Sequence, residues 1–168
     1  MVFILFISFV ILLRLAELYL SARNERRLRQ EGAVEYGSAH YPVMVCLHAF
    51  FFVSLLAEYY LSGPHSYHTA IIALYLLLVL LKAWVINSLG RFWNTRILRL
   101  PGAPLVAKGP YRFVKHPNYI IVVAEILVIP LAFDLYYTAL IFSLLNAAML
   151  YVRIGVENRA LKKYGSQT

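Results

Sequence analysis

Continuous apolar runs constrain this chain more than any other feature. Residues 2–20, 43–61, 68–89, 119–133 and 135–152 are apolar with few interruptions, and a helix needs about 20 such residues to cross the hydrocarbon core of a bilayer. A mean hydropathy of +0.68, with only 14% charged residues, lies outside the soluble range. The runs do not alternate between apolar and polar residues, so helices are predicted rather than the strands of a membrane β-barrel. The expected architecture is an all-α integral membrane bundle of about five transmembrane helices, a single domain over residues 1–168. The last two runs are separated by Asp134 and its neighbours, are short for full spans, and read as a tight hairpin. Residues 1–13 lack the basic start and small-residue cleavage pattern of a signal peptide. Arg14 and Glu17 continue the same helical run, which is read as a retained first span.

Basic residues sort by loop. Arg23, Arg26, Arg27 and Arg29 follow the first run; Arg91, Arg96, Arg99, Lys108, Arg112 and Lys115 follow the third; Arg159, Lys162 and Lys163 follow the fifth. The short connection 62–67 and the turn at Asp134 contain neither Lys nor Arg. The positive-inside rule then puts the N-terminus outside, and both long basic loops and the C-terminus in the cytoplasm. The expected location is therefore an integral position in a membrane with the basic loops on its cytoplasmic face. Juxtamembrane basic residues facing anionic lipid account for the net charge of +8, so no nucleic-acid partner is implied. The short last two spans leave room for a second copy as a homo-oligomeric partner.

Few sequence patterns support metal or hydrolytic chemistry. The single Cys46 excludes an intrachain disulfide and any CxxC site. His65 and His68 have no carboxylate or thiol close in sequence, and His40 and His48 are eight apart across a helix start, so no metal is expected. There is no Walker loop, GxSxG or HExxH.

The basic loops hold the informative polarity. Residues 22–42 continue the first helix and break at Gly32 and Gly37. Residues 90–117 carry three Pro and two Gly between Pro101 and Pro110, which predicts ordered, irregular chain. The stretch "GPYRFVKHPNYIIVV" then runs straight into an apolar helix. Pro117 suits the first turn of that helix, Lys115 or His116 falls near its cap, and its free N–H groups face the loop as an anion-friendly pocket.

Within the spans, Arg14 and Lys82 are expected to snorkel to the inner interface, and Glu58 to sit near the outer one. Glu125, about two turns into the fourth helix, is either an internal partner for a basic or hydroxyl group or a site residue. Arg153 and Glu157 share one face of the last helix, and the spacing alone reads as a surface salt bridge. Trp84, Trp93 and the tyrosines read as interface belt and core.

Three blocks together resemble the isoprenylcysteine carboxyl methyltransferase family. They are "LGRFWNTRI" (89–97), "LVAKGPYRFVKHPNY" (105–119) and "RIGVENRAL" (153–161), in order and at the topological places the family pattern requires. The resemblance covers about the C-terminal half of the chain, and the cofactor half is expected at about 89–168. It implies an integral membrane O-methyltransferase that uses S-adenosylmethionine, releases S-adenosylhomocysteine and has its site on the cytoplasmic side. Carried over by position, Leu105, Val106, Gly109, Tyr111, Lys115, His116, Pro117, Tyr119 and Glu157 would bind the cofactor. Arg153 and Glu157 would be catalytic, and Trp93, Asn94, Arg153 and Asn158 would face the substrate. Lys115 stands where the family has Arg, and Asn158 where it has the second Glu of a pair; these departures bear on the substrate more than on the cofactor.

"ELYLSARNERRL" and "GAVEYGSAHYPVMVCLH" are similar to a bacterial branch that O-methylates long-chain alkylpyrones. An anionic enol or carboxylate needs no general base, only alignment with the sulfonium methyl in a desolvated site, which fits the absence of any evident catalytic dyad. A lipophilic acceptor would enter between helices from the bilayer, and membrane lipids are the other expected partners. The alternatives are a prenylcysteine carboxyl methyltransferase, a non-catalytic membrane scaffold or small transporter with Glu17, Lys82 and Glu125 along a polar path, and a membrane reductase.

Overall fold

The computed structural model describes residues 1–103 and 106–165. Its helices are α1 (Val2–Gln30), α2 (Tyr41–Leu61), α3 (Thr69–Leu89), α4 (Pro117–Leu131) and α5 (Tyr136–Gly165). Among the described residues, α1, α2, α3 and α5 are long and apolar enough to cross a membrane. Many of their large apolar side chains point outward: Leu12 is 64% exposed, Leu80 68% and Leu144 64%. Such a surface is stable against hydrocarbon rather than water.

Each boundary has a local cause. The charged tail of α1 is rich in strong helix formers and stops at Gly32, whose φ of +90° suits glycine. Pro42 lies in the first turn of α2, and Gly90, with φ +54°, ends α3. At 15 residues α4 is about 22 Å long, too short for a full span. The final helix, expected to be short, runs for 30 residues; its amphipathic basic end continues the helix beyond the apolar run. The turn between α4 and α5 places Asp134 at φ +57°. At the same end Glu58 accepts from the N–H groups of Tyr137 (3.0 Å) and Thr138 (2.7 Å), capping the start of α5.

The all-α expectation holds for the bundle, with one addition. Strands β1 (Val34–Tyr36) and β2 (Ile97–Arg99) form an antiparallel ribbon, with Val34 opposite Arg99 and Tyr36 opposite Ile97. Each strand is three residues long, too short to show a period in the sequence.

The chain runs back and forth between two ends. At the end carrying the N-terminus, Phe3 stacks on Tyr59 at 3.7 Å and meets the edge of Phe133 at 5.1 Å, while Phe6 packs against Tyr75 at 5.1 Å. There His68 Nε2 lies 2.8 Å from Asp134, and His65 stacks on Tyr59. The opposite end gathers the basic loops.

Between the two ends lies a buried ionic cluster. Arg14 donates to Glu17 (2.9 Å) and to Glu125 (2.5 Å); Lys82 donates to Glu125 (2.5 Å) and sits 3.2 Å from Glu17. Two cations and two anions from α1, α3 and α4 sum to zero. Glu125 is therefore an internal partner for basic groups. The expectation that Arg14 and Lys82 snorkel to the interface is corrected: Lys82 is 3% exposed and points inward. Two carboxylates within reach hold these cations inside the bundle more strongly than a distant aqueous edge attracts them.

Candidate functional site

The site begins with how the basic loops are tied down. Asn24 of α1 donates to the carbonyls of Gly90 (3.2 Å) and Trp93 (2.8 Å), fixing the chain as it leaves α3. One turn earlier, Ser21 Oγ accepts from the Thr95 N–H (2.9 Å) and donates to Asn94 Oδ1 (3.2 Å). Arg96 donates to Glu35 on the facing strand (2.6 Å) and lies 3.9 Å over the ring of Tyr41. Arg29 also donates to Glu35. Partial burial opposes ionisation of Glu35, but the bonds from Arg96 and Arg29 outweigh it and hold the carboxyl below its ordinary pKa.

Gly109 opens the turn that leads into α4. Its φ is +58°, and a Cβ there would lie 2.1 Å from Ser88 Oγ and 2.9 Å from Ser88 Cβ on α3. Only glycine permits both the left-handed backbone and this approach to α3. Gly109→Ala is expected to displace the turn, reduce thermal stability by about 1–3 kcal/mol and weaken any ligand held by the following residues. A thermal unfolding midpoint equal to wild type would sink this account. The 3-10 turn Gly109–Arg112 buries Pro110 and leads to His116, which caps α4 with Pro117 as its first residue.

These elements enclose a cavity of about 790 Å3 between the ribbon, the start of α4 and the end of α5. Glu157 lies on its wall. One carboxylate oxygen accepts from Tyr119 Oη (2.7 Å) and faces His116 Nδ1 (3.3 Å); the other accepts from Arg99 (3.2 Å). Because a carboxylate only accepts, His116 Nδ1 is the protonated nitrogen in this contact. Nε2 of the same ring is buried and has no hydrogen-bond partner among the described residues. The ring stacks on Tyr119, with centroids 5.2 Å apart.

Tyr119 Oη accepts from Arg153 Nε (3.0 Å). Arg153 is 6% exposed and also donates to the Thr95 carbonyl and to Met44 Sδ. No carboxylate among the described residues pairs with it. Burial, with Glu157 nearby, raises the pKa of Tyr111, so that phenol stays neutral across the physiological range.

The structure brings most of the anticipated residues together. Val106, Tyr111, Lys115, His116, Tyr119, Arg153 and Glu157 line the cavity, and so does Asn94. Leu105 lies outside the described residues. Gly109 and Pro117 shape the wall without lining it. Trp93 is 3% exposed, buried away from the cavity. Lys115 Nζ donates to Asn158 Oδ1 at 2.6 Å, so the two departures from the family pattern contact one another.

The surface salt bridge read from the spacing of Arg153 and Glu157 is corrected. Tyr119 Oη stands between the two side chains, donating to one and accepting from the other. Sequence reasoning missed Arg96, Arg99 and Asn118 as lining residues. The first two were counted only as orienting charges, and their reach into the cavity depends on the ribbon.

Residues 70–163 match the isoprenylcysteine carboxyl methyltransferase (ICMT) family. Over 164 residues the chain is 44% identical to the uncharacterized protein YpbQ of Bacillus subtilis, covering 96% of this chain and 98% of that one. It is 27% identical over 155 residues to an uncharacterized protein of Haemophilus influenzae, covering 90% of each. No solved structure gives a significant match.

Proposed function

Because this chain belongs to the isoprenylcysteine carboxyl methyltransferase family, we propose that its cavity binds S-adenosylmethionine and that it methylates an oxygen of a lipophilic acceptor. Membership makes it a membrane methyltransferase, and S-adenosylmethionine is the methyl donor general to the family. The observation that carries the reading is the coupled pair on the cavity wall: a carboxylate, Glu157, and a buried guanidinium, Arg153, linked through one tyrosine hydroxyl. A cationic cofactor and an anionic acceptor present opposite charges, and this wall offers a partner for each: Glu157 for the first and Arg153 for the second. The cavity volume falls within the roughly 300–1,000 Å3 of small-molecule sites. The unpartnered His116 Nε2 supplies a further polar contact.

When bound, S-adenosylmethionine supplies a methyl group already activated by a sulfonium. In this reading Glu157, His116, Tyr119 and Tyr111 hold the cofactor. Val106 provides apolar contact, and Leu105, Gly109, Lys115 and Pro117 complete or shape the pocket. Arg153 draws in the anionic oxygen of the acceptor and orients it, so no general base is required. Asn94 and Asn158 border the acceptor, whereas Trp93, buried away from the cavity, does not meet it. In this reading the end that carries the basic loops faces the cytoplasm, where the soluble cofactor is available, in keeping with the positive-inside rule.

The acceptor we favour is the acidic enol of a long-chain alkylpyrone, with the carboxylate of a prenylcysteine as the second reading. At the Lys115–Asn158 contact, Arg with Glu would be neutral, whereas Lys with Asn leaves one positive charge at the cavity edge. That excess supports an anionic acceptor.

Calorimetry of S-adenosylmethionine and S-adenosylhomocysteine with the detergent-purified protein tests the cofactor. Wild type is expected to bind both, and His116→Ala to bind about tenfold more weakly for loss of roughly one hydrogen bond. Folded wild-type protein that binds neither compound would end this reading.

A further inference from the structure

Helices α3 and α4 are flush at one end of the bundle and not at the other. At the end carrying the N-terminus, the N–H of His68, which caps α3, donates to the carbonyl of Ala132, just past the last residue of α4 (3.0 Å). From there α3 runs for 21 residues, about 31 Å, which matches the roughly 30 Å of hydrocarbon in a bilayer. Its neighbour α4 has 15 residues and covers about 22 Å. The far end of α4 therefore stops about 9 Å, or roughly six residues, short of Leu89. Packing of the turn agrees with this depth. A Cβ at Gly109 would lie 3.3 Å from Trp84 Nε1, so the turn into α4 rests against the last turns of α3 rather than beyond them. Trp84 is half-exposed, as suits an indole at the bilayer interface.

The turn thus occupies a step in the membrane-facing surface. Tyr111, Lys115 and His116 line the cavity, whereas Arg112, Phe113 and Val114 are exposed. Phe113 is 78% exposed; an aromatic ring is unfavourable in water and favoured at the headgroup boundary. Below the turn, Ile120, Val123 and Leu127 are exposed at i, i+3 and i+7 and form one apolar stripe along α4. Lys108 and Arg112 are exposed, and neither has a carboxylate partner among the described residues. No Asp or Glu occurs between Arg99 and Glu125. Unpaired cations above a continuous apolar strip complement an amphiphile with an anionic head.

We propose that this step is a binding site for an anionic phospholipid of the adjacent leaflet. Its headgroup pairs with Lys108 and Arg112, and its acyl chain lies against Phe113 and the apolar stripe of α4. Such a lipid fills the depth that α4 does not span, so the bilayer need not thin around a short helix. It is a bound lipid and not the methyl acceptor, and the site does not depend on what occupies the cavity.

The test places p-benzoylphenylalanine at Phe113 of the full-length protein. The protein is held in nanodiscs of phosphatidylcholine with a minor share of phosphatidylglycerol, and photoadducts are identified by mass spectrometry. Phospholipid adducts are expected, with phosphatidylglycerol about fivefold above its bulk share, the effect of one Lys or Arg contact with an anionic headgroup. Lys108→Gln/Arg112→Gln should return the adducts to the bulk ratio. Should that variant fail to fold, added salt is expected to lower the enrichment in protein that keeps both cations. Adducts to protein alone, or none, overturn the proposal, because the turn then faces another chain or water. Lipid adducts at the bulk ratio, or an enrichment that neither the paired substitution nor salt reduces, overturn it as well. None of these outcomes requires S-adenosylhomocysteine to bind, so the lipid site and the cofactor reading stand or fall separately.

Discussion

Glu125→Gln is expected to lower the stability of the bundle by about 3–5 kcal/mol, the range for breaking one partner out of a buried ion pair. Arg14 and Lys82 both donate to the same oxygen of Glu125, and each also reaches Glu17. With all four groups present the charges cancel. Removing the Glu125 charge leaves two cations sharing one carboxylate, with Lys82 almost wholly buried. Lys82→Met has the mirror defect, an excess anion. The double variant Lys82→Met/Glu125→Gln restores neutrality, because Arg14 and Glu17 remain a complete pair at 2.9 Å. It is expected to be more stable than Glu125→Gln alone, the non-additivity of a coupled network. Unfolding midpoints of the detergent-solubilised variants read this directly. If the double variant loses the sum of the single losses, the four residues are not one coupled unit.

The same cluster shows where the sequence was silent. Apolar runs and loop charges sufficed to place five helices, because spanning length and continuous apolarity are local properties. The end of α1 and the start of α4 followed from Gly and Pro chemistry. Glu125 was visibly anomalous inside an apolar run, yet its partners lie 111 and 43 residues away, and only packing of α1, α3 and α4 brings them together. The cavity divides in the same way. His116, Tyr119, Arg153 and Glu157 were named through the family resemblance. Tyr119 as the bridge between Arg153 and Glu157, and Arg99 as a donor to Glu157, depend on contacts between α4, α5 and a ribbon that no periodicity announced. The spacing of Arg153 and Glu157 suggested a direct pair. Burial of the Arg153 guanidinium against Thr95 and Met44 draws it away.

Glu157→Gln is expected to weaken S-adenosylhomocysteine binding by about 10–100-fold, roughly 1.4–3 kcal/mol for hydrogen bonds to a charged group. The two carboxylate oxygens take three donors: Tyr119 and His116 on one, Arg99 on the other. An amide of the same shape has one accepting oxygen and an NH2 that faces donors. Whichever way the amide turns, Arg99 or the Tyr119–His116 pair meets a donor, and the negative charge opposite Arg99 is gone. Tyr119→Phe separates two roles for this carboxylate. That variant removes the bridge to Arg153 but leaves Glu157 ionised beside Arg99 and His116, so its affinity loss should be the smaller. If Glu157 serves only to tie α5 to the loops and to α4, both variants will lower the unfolding midpoint and leave affinity at the wild-type value. A graded affinity loss with Glu157→Gln the more severe, at nearly constant midpoints, identifies a carboxylate that holds the ligand.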